Sequence, residues 1–283
     1  PDMTPALPRH IIHALVTRAL EEDLGGRGDV TSLATIPADR NASFVIASRA
    51  NGVLAGRQAA DACFDQVDRD IAVTWRKRDG DILEKGDIVA IVEGPALGIL
   101  TAERPALNFL GRMSGIATLT RQYVTAIADT GAVIAHTRKT TPGLRAVELQ
   151  AVRAGGGSYH RYGLDDAILI KDNHVAVCGS VGEAVKRARV FAGHMTRVAV
   201  EVDRMDQLEE ALSAGAESVL LDNFSLDDLR AAVLLTDGRA NLEASGGVNL
   251  ETVRAIAETG VDVISVGALT HSAPNFDLGL DER

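Results

Sequence analysis

Hydrophobic and polar residues change their rhythm part-way along this chain, and the change divides it in two. From Pro8 to about Leu24, the residues Ile11, Leu15 and Leu20 fall roughly on one helical face, which predicts an amphipathic helix ended by the turn-rich GGRGDVTS. ASFVIASRANGVLAG and IAVTWRKRDGDILEKGDIVAIVEG then alternate apolar and polar positions between Asn-Gly, Asp-Gly and Lys-Gly turns, the pattern of strands and hairpins, with RQAADACFDQV as a short helix between them. This first part predicts a small α+β domain. TAERPALNFLGRMSGIATLTRQYVTAIADTG predicts a long helix, broken or bent near Ser114-Gly115.

Beyond it, apolar runs of strand length (AVIAHT, AILI, VAVEV, SVLLD, NLEAS and DVISV) alternate with helical segments such as VGEAVKRARVFA, MDQLEEALSAG and LETVRAIAETG. Alternating β and α units predict a parallel sheet covered by helices. The strand ends carry polar groups in turn: Arg138 and Lys139, Lys171, Glu201, Asp222, Ser245-Gly246-Gly247 and Gly267. Glu201, Asp222, Ser245 and Val266 are separated by 21, 23 and 21 residues, the recurrence expected of a repeated βα unit. In a (β/α) barrel that end of the strands is the active-site face. About six units are legible where eight are usual, so an irregular, incomplete (β/α) barrel is expected.

Composition narrows the possibilities. With 46% apolar residues, the chain can bury a sizeable core. A net charge of −10 argues against nucleic-acid or anionic-membrane partners, so any anion it handles must meet a local cationic pocket. Cys63 and Cys178 stand far apart at neither metal-ligand nor redox spacing and are expected to be reduced, buried and structural. The opening PDMTPALPRH lacks the basic-then-apolar pattern of a secretory signal and no run has membrane-spanning length, so a cytoplasmic protein is expected.

GGGSYHRYGLDDAILIKDNH, Gly155 to His174, concentrates the candidate chemistry. A lone lysine closing a strand is ordinarily solvated, but Lys171 shares its neighbourhood with Arg138, Lys139, His160 and Arg161, which together suit a polyanionic ligand. Either His160 or His174 could instead orient a loop. Glu201 and Asp222, matched at the ends of consecutive strands, supply hard oxygens for magnesium, sugar hydroxyls or both. Ser245, Gly246 and Gly247, with Gly267, Ala268 and Leu269 after the last strand, offer backbone N–H groups for a phosphate, and His271 is a candidate to assist.

ERPALNFLGRMSGIAT, HTRKTTPGLR, GGGSYHRYGLDDAILIKDNH, LLDNFS, EASGGV and SVGALTHS, in this order and with the N-terminal EEDLGGRGDVTS, resemble the quinolinate phosphoribosyltransferases, also called carboxylating nicotinate-nucleotide pyrophosphorylases. The similarity covers nearly the whole chain; Asp203 stands where many relatives have glutamate. The resemblance implies an N-terminal α/β sandwich domain packed against an irregular barrel of seven strands. The corresponding division is residues 1–108 and 109–268, with the tail 269–283 as a candidate addition to the first domain. It further implies a homodimer with shared active sites, in which Arg104 enters the neighbour's site.

The implied reaction joins quinolinate to 5-phosphoribosyl-1-pyrophosphate with magnesium, releasing pyrophosphate and carbon dioxide. Arg104, Arg138, His160, Arg161 and Lys171 would then meet the quinolinate carboxylates. Lys139, Glu201 and Asp222 would meet the phosphoribosyl donor and its metal, and Lys139, Lys171, Glu201 and Asp222 would be catalytic. Three other readings compete: a Schiff-base aldolase or decarboxylase built on Lys171, a carrier presenting Lys85 on a lipoyl-like hairpin, and a molybdate-transport-associated paralogue of the same fold.

Overall fold

The structure, a computed structural model, describes residues 5–283, so the first four residues of the segment considered for a secretory signal lie outside the described residues. In chain order its elements are α1 (Arg9–Leu24), α2 (Val30–Thr35), β1 (Asn41–Ser48), β2 (Gly52–Val53), α3 (Arg57–Val67), β3 (Ala72–Trp75), β4 (Ile82–Leu83), β5 (Ile88–Pro95) and α4 (Ala96–Ala126). There follow β6 (Val133–Ala135), α5 (Arg145–Ala154), β7 (Ile168–Ile170), α6 (Asp172–Cys178), α7 (Val181–Phe191), β8 (Val198–Val202), α8 (Met205–Ser213), β9 (Ser218–Asp222) and α9 (Leu226–Thr236). The chain ends with β10 (Asn241–Ser245), α10 (Val253–Ala257), β11 (Val263–Ser265), α11 (Ala268–His271) and β12 (Leu278–Glu282). No helix among the described residues is long and apolar enough to cross a membrane.

Two compact units form. The first holds the chain up to Arg121 with Thr140–Gly156 and Leu269–Arg283; the second holds Gln122–Lys139 and Gly157–Ala268. A boundary at 108/109 therefore falls inside the single helix α4.

In the first unit, an antiparallel sheet runs in the order β12-β1-β5-β3, with β2 and β4 as a separate pair. The apolar face of α1 is Ile12, Val16 and Leu20, one residue offset from part of the expected stripe, and these three are buried at helical spacing. Gln66 of α3 accepts from the Thr17 hydroxyl and donates to the His13 carbonyl, tying α3 to α1. The Asp29 carboxylate accepts the Ser32 N–H at 3.0 Å, so GGRGDVTS holds the cap of a short helix as well as a turn.

Two expectations are corrected here. Helix α4 runs unbroken through Ser114-Gly115. Its glycines mark close packing instead: a Cβ on Gly115 would lie 1.9 Å from the Pro274 carbonyl oxygen, and one on Gly111 would lie 2.9 Å from that of Phe276. The lipoyl-like hairpin does not form either, because β4 pairs with β2 while β5 pairs with β1 and β3. Lys85 lies in the turn before β5, with its N–H bonded to Asn51 Oδ1.

In the second unit, six parallel strands run in the order β6-β11-β10-β9-β8-β7, an irregular barrel whose strand ends face one cavity. A seventh, reduced strand is present as one parallel bridge, Ser158 to Ala135, on the free side of β6. The Ser158 N–H reaches the Ile134 carbonyl at 2.7 Å, but no ladder joins this segment to β7. Glycine-rich GGGSYH has too few β-forming residues to propagate a strand, which is why apolar pattern alone shows six. Ser180 and Ser225 cap α7 and α9 by accepting the N–H groups of Glu183 and Asp228. Both cysteines are free; Cys63 is buried as expected, whereas Cys178 is partly exposed at the end of α6.

Candidate active site

Parallel pairing brings every strand of the second unit to the same end, and the side chains there alternate between the barrel interior and the covering helices. The register sets Glu201 beside Leu220, Leu220 beside Glu243, and Asp222 beside Ser245. β9 and β10 thus each contribute a deeper interior position, Leu220 and Glu243, and, two residues on, one nearer the mouth, Asp222 and Ser245. These positions and the loops that follow enclose a cavity of about 430 Å³. Thr137, Arg138 and Lys139 line it after β6, His160 and Arg161 from the reduced strand, and Lys171 after β7. Glu201 (β8), Asp222 (β9), Glu243 and Ser245 (β10) and Ser265 (β11) complete its polar wall.

The segment bearing His160 and Arg161 is held by side chains where strand pairing is missing. His136, fully buried, accepts the His160 backbone N–H on Nε2 at 3.0 Å, and its Nδ1 lies 3.2 Å from the Thr137 carbonyl. A backbone N–H can only donate, so His136 Nε2 is unprotonated and the hydrogen sits on Nδ1. Asp166 accepts the N–H groups of Tyr162 and Gly163 at 2.6 and 3.0 Å and closes the loop behind Arg161. Glu243 lies 3.0 Å from His160 Nε2.

This wall is polar beyond its own needs. Arg138 Nε, His160 Nδ1, Arg161 Nε, Glu243 Oε1 and Ser265 Oγ are all buried without a hydrogen-bond partner. Buried polar groups are ordinarily satisfied, so several orphans around one cavity mark a place where a ligand or ordered water supplies the partners. Burial, and then the neighbouring Arg138 charge, lower the Arg161 guanidinium below its ordinary value, with Asp166 opposing them. Two like charges gathered this way are stabilised by an anion between them.

Lys171 Nζ donates to Glu201 Oε2 at 3.0 Å, so the cation is aimed across the mouth. Asp222 Oδ2 accepts from Asn223 Nδ2 at 2.9 Å. Among the described residues, no group of three or more His, Cys, Asp or Glu side chains is placed to hold a metal. Glu201 and Asp222 are hard oxygen donors of the kind magnesium takes, but fewer than a metal cage built from protein alone would need.

Ser245, Gly246 and Gly247 follow directly, with positive φ at both glycines, 93° and 61°. Gly246 is also required for space, since a Cβ there would lie 2.2 Å from Asn223 Oδ1. Without side chains, these two residues let a ligand come close to the backbone N–H groups of the turn. Helix α10 begins only at Val253, so the Gly-Gly turn is not its N-terminus.

Of the residues expected from sequence, the cavity gathers Arg138, Lys139, His160, Arg161, Lys171, Glu201, Asp222 and Ser245. It does not gather His174, whose Nδ1 accepts the Lys171 N–H at 2.9 Å and so orients the start of α6. Gly246, Gly247, Gly267 and Ala268 belong to the same unit but do not line the cavity. Arg104, Leu269 and His271 belong to the other unit; the Leu269 side chain is fully buried, leaving only its backbone for a ligand.

Sequence reasoning missed His136, Thr137, Glu243 and Ser265. Glu243 carried a usable signal: an acid inside the strand NLEAS must be buried and paired, because an unpaired buried charge is costly.

Residues 116–281 match the family model described as the quinolinate phosphoribosyl transferase C-terminal domain, and residues 29–114 match that of its N-terminal domain. The chain is 45% identical to a probable carboxylating nicotinate-nucleotide pyrophosphorylase of Bacillus subtilis, over 92% of this chain and 89% of that protein. It is also 45% identical to the carboxylating nicotinate-nucleotide pyrophosphorylase of Mycobacterium leprae, over 94% of this chain and 95% of that one. Among solved structures, a nicotinate-nucleotide pyrophosphorylase from Francisella tularensis superimposes with a TM-score of 0.95 at 37% identity, covering 100% of both chains. Fold, strand-end chemistry and these matches together establish that the chain belongs to the quinolinate phosphoribosyl transferase family.

Proposed function

We propose that this protein transfers the phosphoribosyl group of 5-phosphoribosyl-1-pyrophosphate to quinolinate with loss of carbon dioxide, giving nicotinate mononucleotide and pyrophosphate, a step of NAD biosynthesis. The observation that carries the reading is the convergence of Arg138, His160, Arg161 and Lys171, three of them with unpaired buried nitrogen, on a cavity that also holds Glu201 and Asp222. Quinolinate has two adjacent carboxylates, and each needs cationic donors once it leaves water.

Charge development assigns the roles. As the bond from ribose C1 to pyrophosphate weakens, positive charge grows on the ribosyl ring, where Glu201 and Asp222 stabilise it, and negative charge grows on the leaving group, where Lys139 stabilises it. Lys171, shared between Glu201 and the quinolinate side, holds the two substrates in register. In-line positioning of this kind contributes up to about 7 to 11 kcal/mol. The ring nitrogen attacks C1 and becomes a pyridinium, and the neighbouring carboxylate departs leaving its electron pair on ring C2 beside the positive nitrogen; a proton then takes its place. Glu201 and Asp222 would hold magnesium together with substrate oxygens, and the ion would supply charge neutralisation for the departing pyrophosphate. Ser245, the Gly246-Gly247 turn, and the backbone of Gly267, Ala268 and Leu269 with His271 form the phosphate side of the reading.

The active unit is a homodimer sharing its sites, with Arg104, exposed on α4, reaching the partner's quinolinate. Mixing Arg104→Ala with an inactive Lys139→Ala protein restores part of the activity through hybrid sites, and no recovery despite subunit exchange removes this element. The reaction is assigned to the cytoplasm.

A Schiff-base reading of Lys171 is disfavoured, since its amine is engaged by Glu201 at 3.0 Å, whereas imine formation needs an amine free to attack a carbonyl. Borohydride with a carbonyl substrate leaves Lys171 unmodified on this account. The deciding assay follows pyrophosphate, carbon dioxide and nucleotide together, with and without quinolinate. All three appear in equal amounts only when quinolinate is present; pyrophosphate release indifferent to quinolinate in folded protein refutes the proposal.

A further inference from the structure

Glu243 is the group in this cavity that packing does not account for. It sits in mid-strand between the buried Leu242 and Ala244 and is itself 7% exposed. One oxygen faces His160 Nε2 at 3.0 Å, and the other is buried without a partner. The other deeply buried glutamate, Glu148, accepts hydrogen bonds from Arg112 and from both the N–H and hydroxyl of Thr141. A carboxylate with one partner loses more hydration than one bond returns, and an apolar residue would serve a barrel interior better.

Hydrogen-bond chemistry fixes the protons of the two histidines. An ionised carboxylate only accepts, so His160 carries hydrogen on Nε2. His136 has both nitrogens engaged, one by the His160 N–H and the other at the Thr137 carbonyl. That leaves one ring nitrogen in the cluster, His160 Nδ1, buried and unpartnered on a residue that lines the cavity.

We infer that quinolinate binds with uptake of a solvent proton at His160 Nδ1, and that Glu243 is the positioning residue that lets the ring accept it. The inference rests on the reading of quinolinate as substrate. With a bare Nδ1 the ring presents a lone pair, which repels a carboxylate oxygen; with the new N–H bond it presents a donor, and the charge gained is matched by Glu243 behind it. The other cationic groups lining this part of the cavity are Arg138 and Lys139 after β6, Arg161 on the same segment as His160 and Lys171 after β7, with no lone pair to offer; Asp166, on that segment, is occupied by the N–H groups of Tyr162 and Gly163. Glu201 and Asp222, on β8 and β9, are the competing proton acceptors, and His271 lies in the other unit.

The test is calorimetric titration of the intact protein with quinolinate alone at about pH 8, where an ordinary imidazole is almost wholly neutral, in buffers of different ionisation enthalpy. The slope of observed heat against buffer enthalpy gives the protons bound. In the unmodified protein it approaches about one per site, the single vacancy of an imidazole. His160→Gln and Glu243→Gln each bring it close to zero and weaken quinolinate about tenfold, the scale of losing a charge-assisted bond, while phosphoribosyl pyrophosphate binds as before.

A zero slope in unmodified protein that binds quinolinate overturns the inference and leaves the proposed reaction standing. Uptake that survives in His160→Gln moves the proton to Glu201, Asp222 or His271 and overturns it as well. Uptake retained in folded Glu243→Gln removes the role of Glu243. If quinolinate fails to bind in any buffer, the substrate reading falls and this inference with it.

Discussion

Gly115→Ala sets two opposing effects against each other at one helical position. By intrinsic propensity, alanine in a helix interior is favoured over glycine by about 1 kcal/mol. At Gly115, however, the added methyl would lie 1.9 Å from the Pro274 carbonyl oxygen, a backbone atom that cannot rotate away. An ordinary carbon–oxygen contact is about 3.3 Å at its closest, so the Pro274 backbone must retreat by more than an ångström. Two residues on, the Phe276 N–H is bonded at 2.9 Å to the Gly111 carbonyl of α4, and Phe276 stands two residues before β12.

Overpacking of this kind costs about 1 to 3 kcal/mol, and loss of the Phe276 bond adds about 1 kcal/mol. Subtracting the propensity gain leaves a net destabilisation of about 1 to 3 kcal/mol. Guanidinium denaturation followed by circular dichroism measures it, with Gly131→Ala as control because nothing lies within 4 Å of a Cβ there. The control is expected within about 0.5 kcal/mol of the unmodified protein. A Gly115→Ala protein as stable as the unmodified one, or more so, refutes the packing argument.

Other expectations follow from single sites. Arg112→Met strips the fully buried Glu148 of its cation, costing about 3 to 5 kcal/mol, and Arg112→Met with Glu148→Leu recovers a good part of that in the same denaturation assay. Asp29, held below the ordinary carboxylate range chiefly by the Ser32 hydroxyl and N–H, stabilises the fold above the unfolded carboxylate value. That contribution is lost as the pH falls through the lowered value, so Asp29→Ala costs about 1 kcal/mol near neutrality. Its difference from the unmodified protein should shrink as the pH falls below the ordinary carboxylate range; a difference independent of pH counts against the cap. Burial pushes the Cys63 thiol up to about 12, so at pH 8 an alkylating reagent labels Cys178 and reaches Cys63 only on unfolding. Rapid labelling of both thiols in the native protein contradicts that burial.

What sequence reveals and what it hides divides along a physical line. The six apolar runs of the parallel sheet were legible, as were the polar residues Lys171, Glu201, Asp222 and Ser245 at the ends of four of them, because period and length are local properties. Ser114-Gly115 misled because glycine has two uses, breaking helices and admitting a neighbouring backbone, and the neighbour, Pro274, lies far along the chain. The partners of β4 and β5 are likewise non-local: a short run beside a Lys-Gly turn looks like half a hairpin until β2 takes it. Glu243 and His136 escaped for a related reason. Their meaning lies in His160, which neither adjoins in sequence.

The irregular edge of the barrel and the cationic side of the site are the same feature. Regular strands place acids and hydroxyls at fixed heights, since backbone pairing sets where Glu201, Asp222, Ser245 and Ser265 stand. The segment carrying His160 and Arg161 has one bridge in place of a ladder, and the His136 side chain takes the N–H that a strand carbonyl would otherwise accept. That substitution frees the chain to leave the sheet direction within two residues of Ser158, carrying the His160 and Arg161 side chains toward the cavity where a continued strand would send alternate residues outward. Restoring strand character here, for example by Gly157→Val, would favour alternation and draw Arg161 or His160 away from its neighbours. The expected result is a selective loss of affinity for a dicarboxylate, with binding at the carboxylate-lined opposite wall retained; equal loss at both walls would show that the segment supports the whole barrel instead of one side of its site.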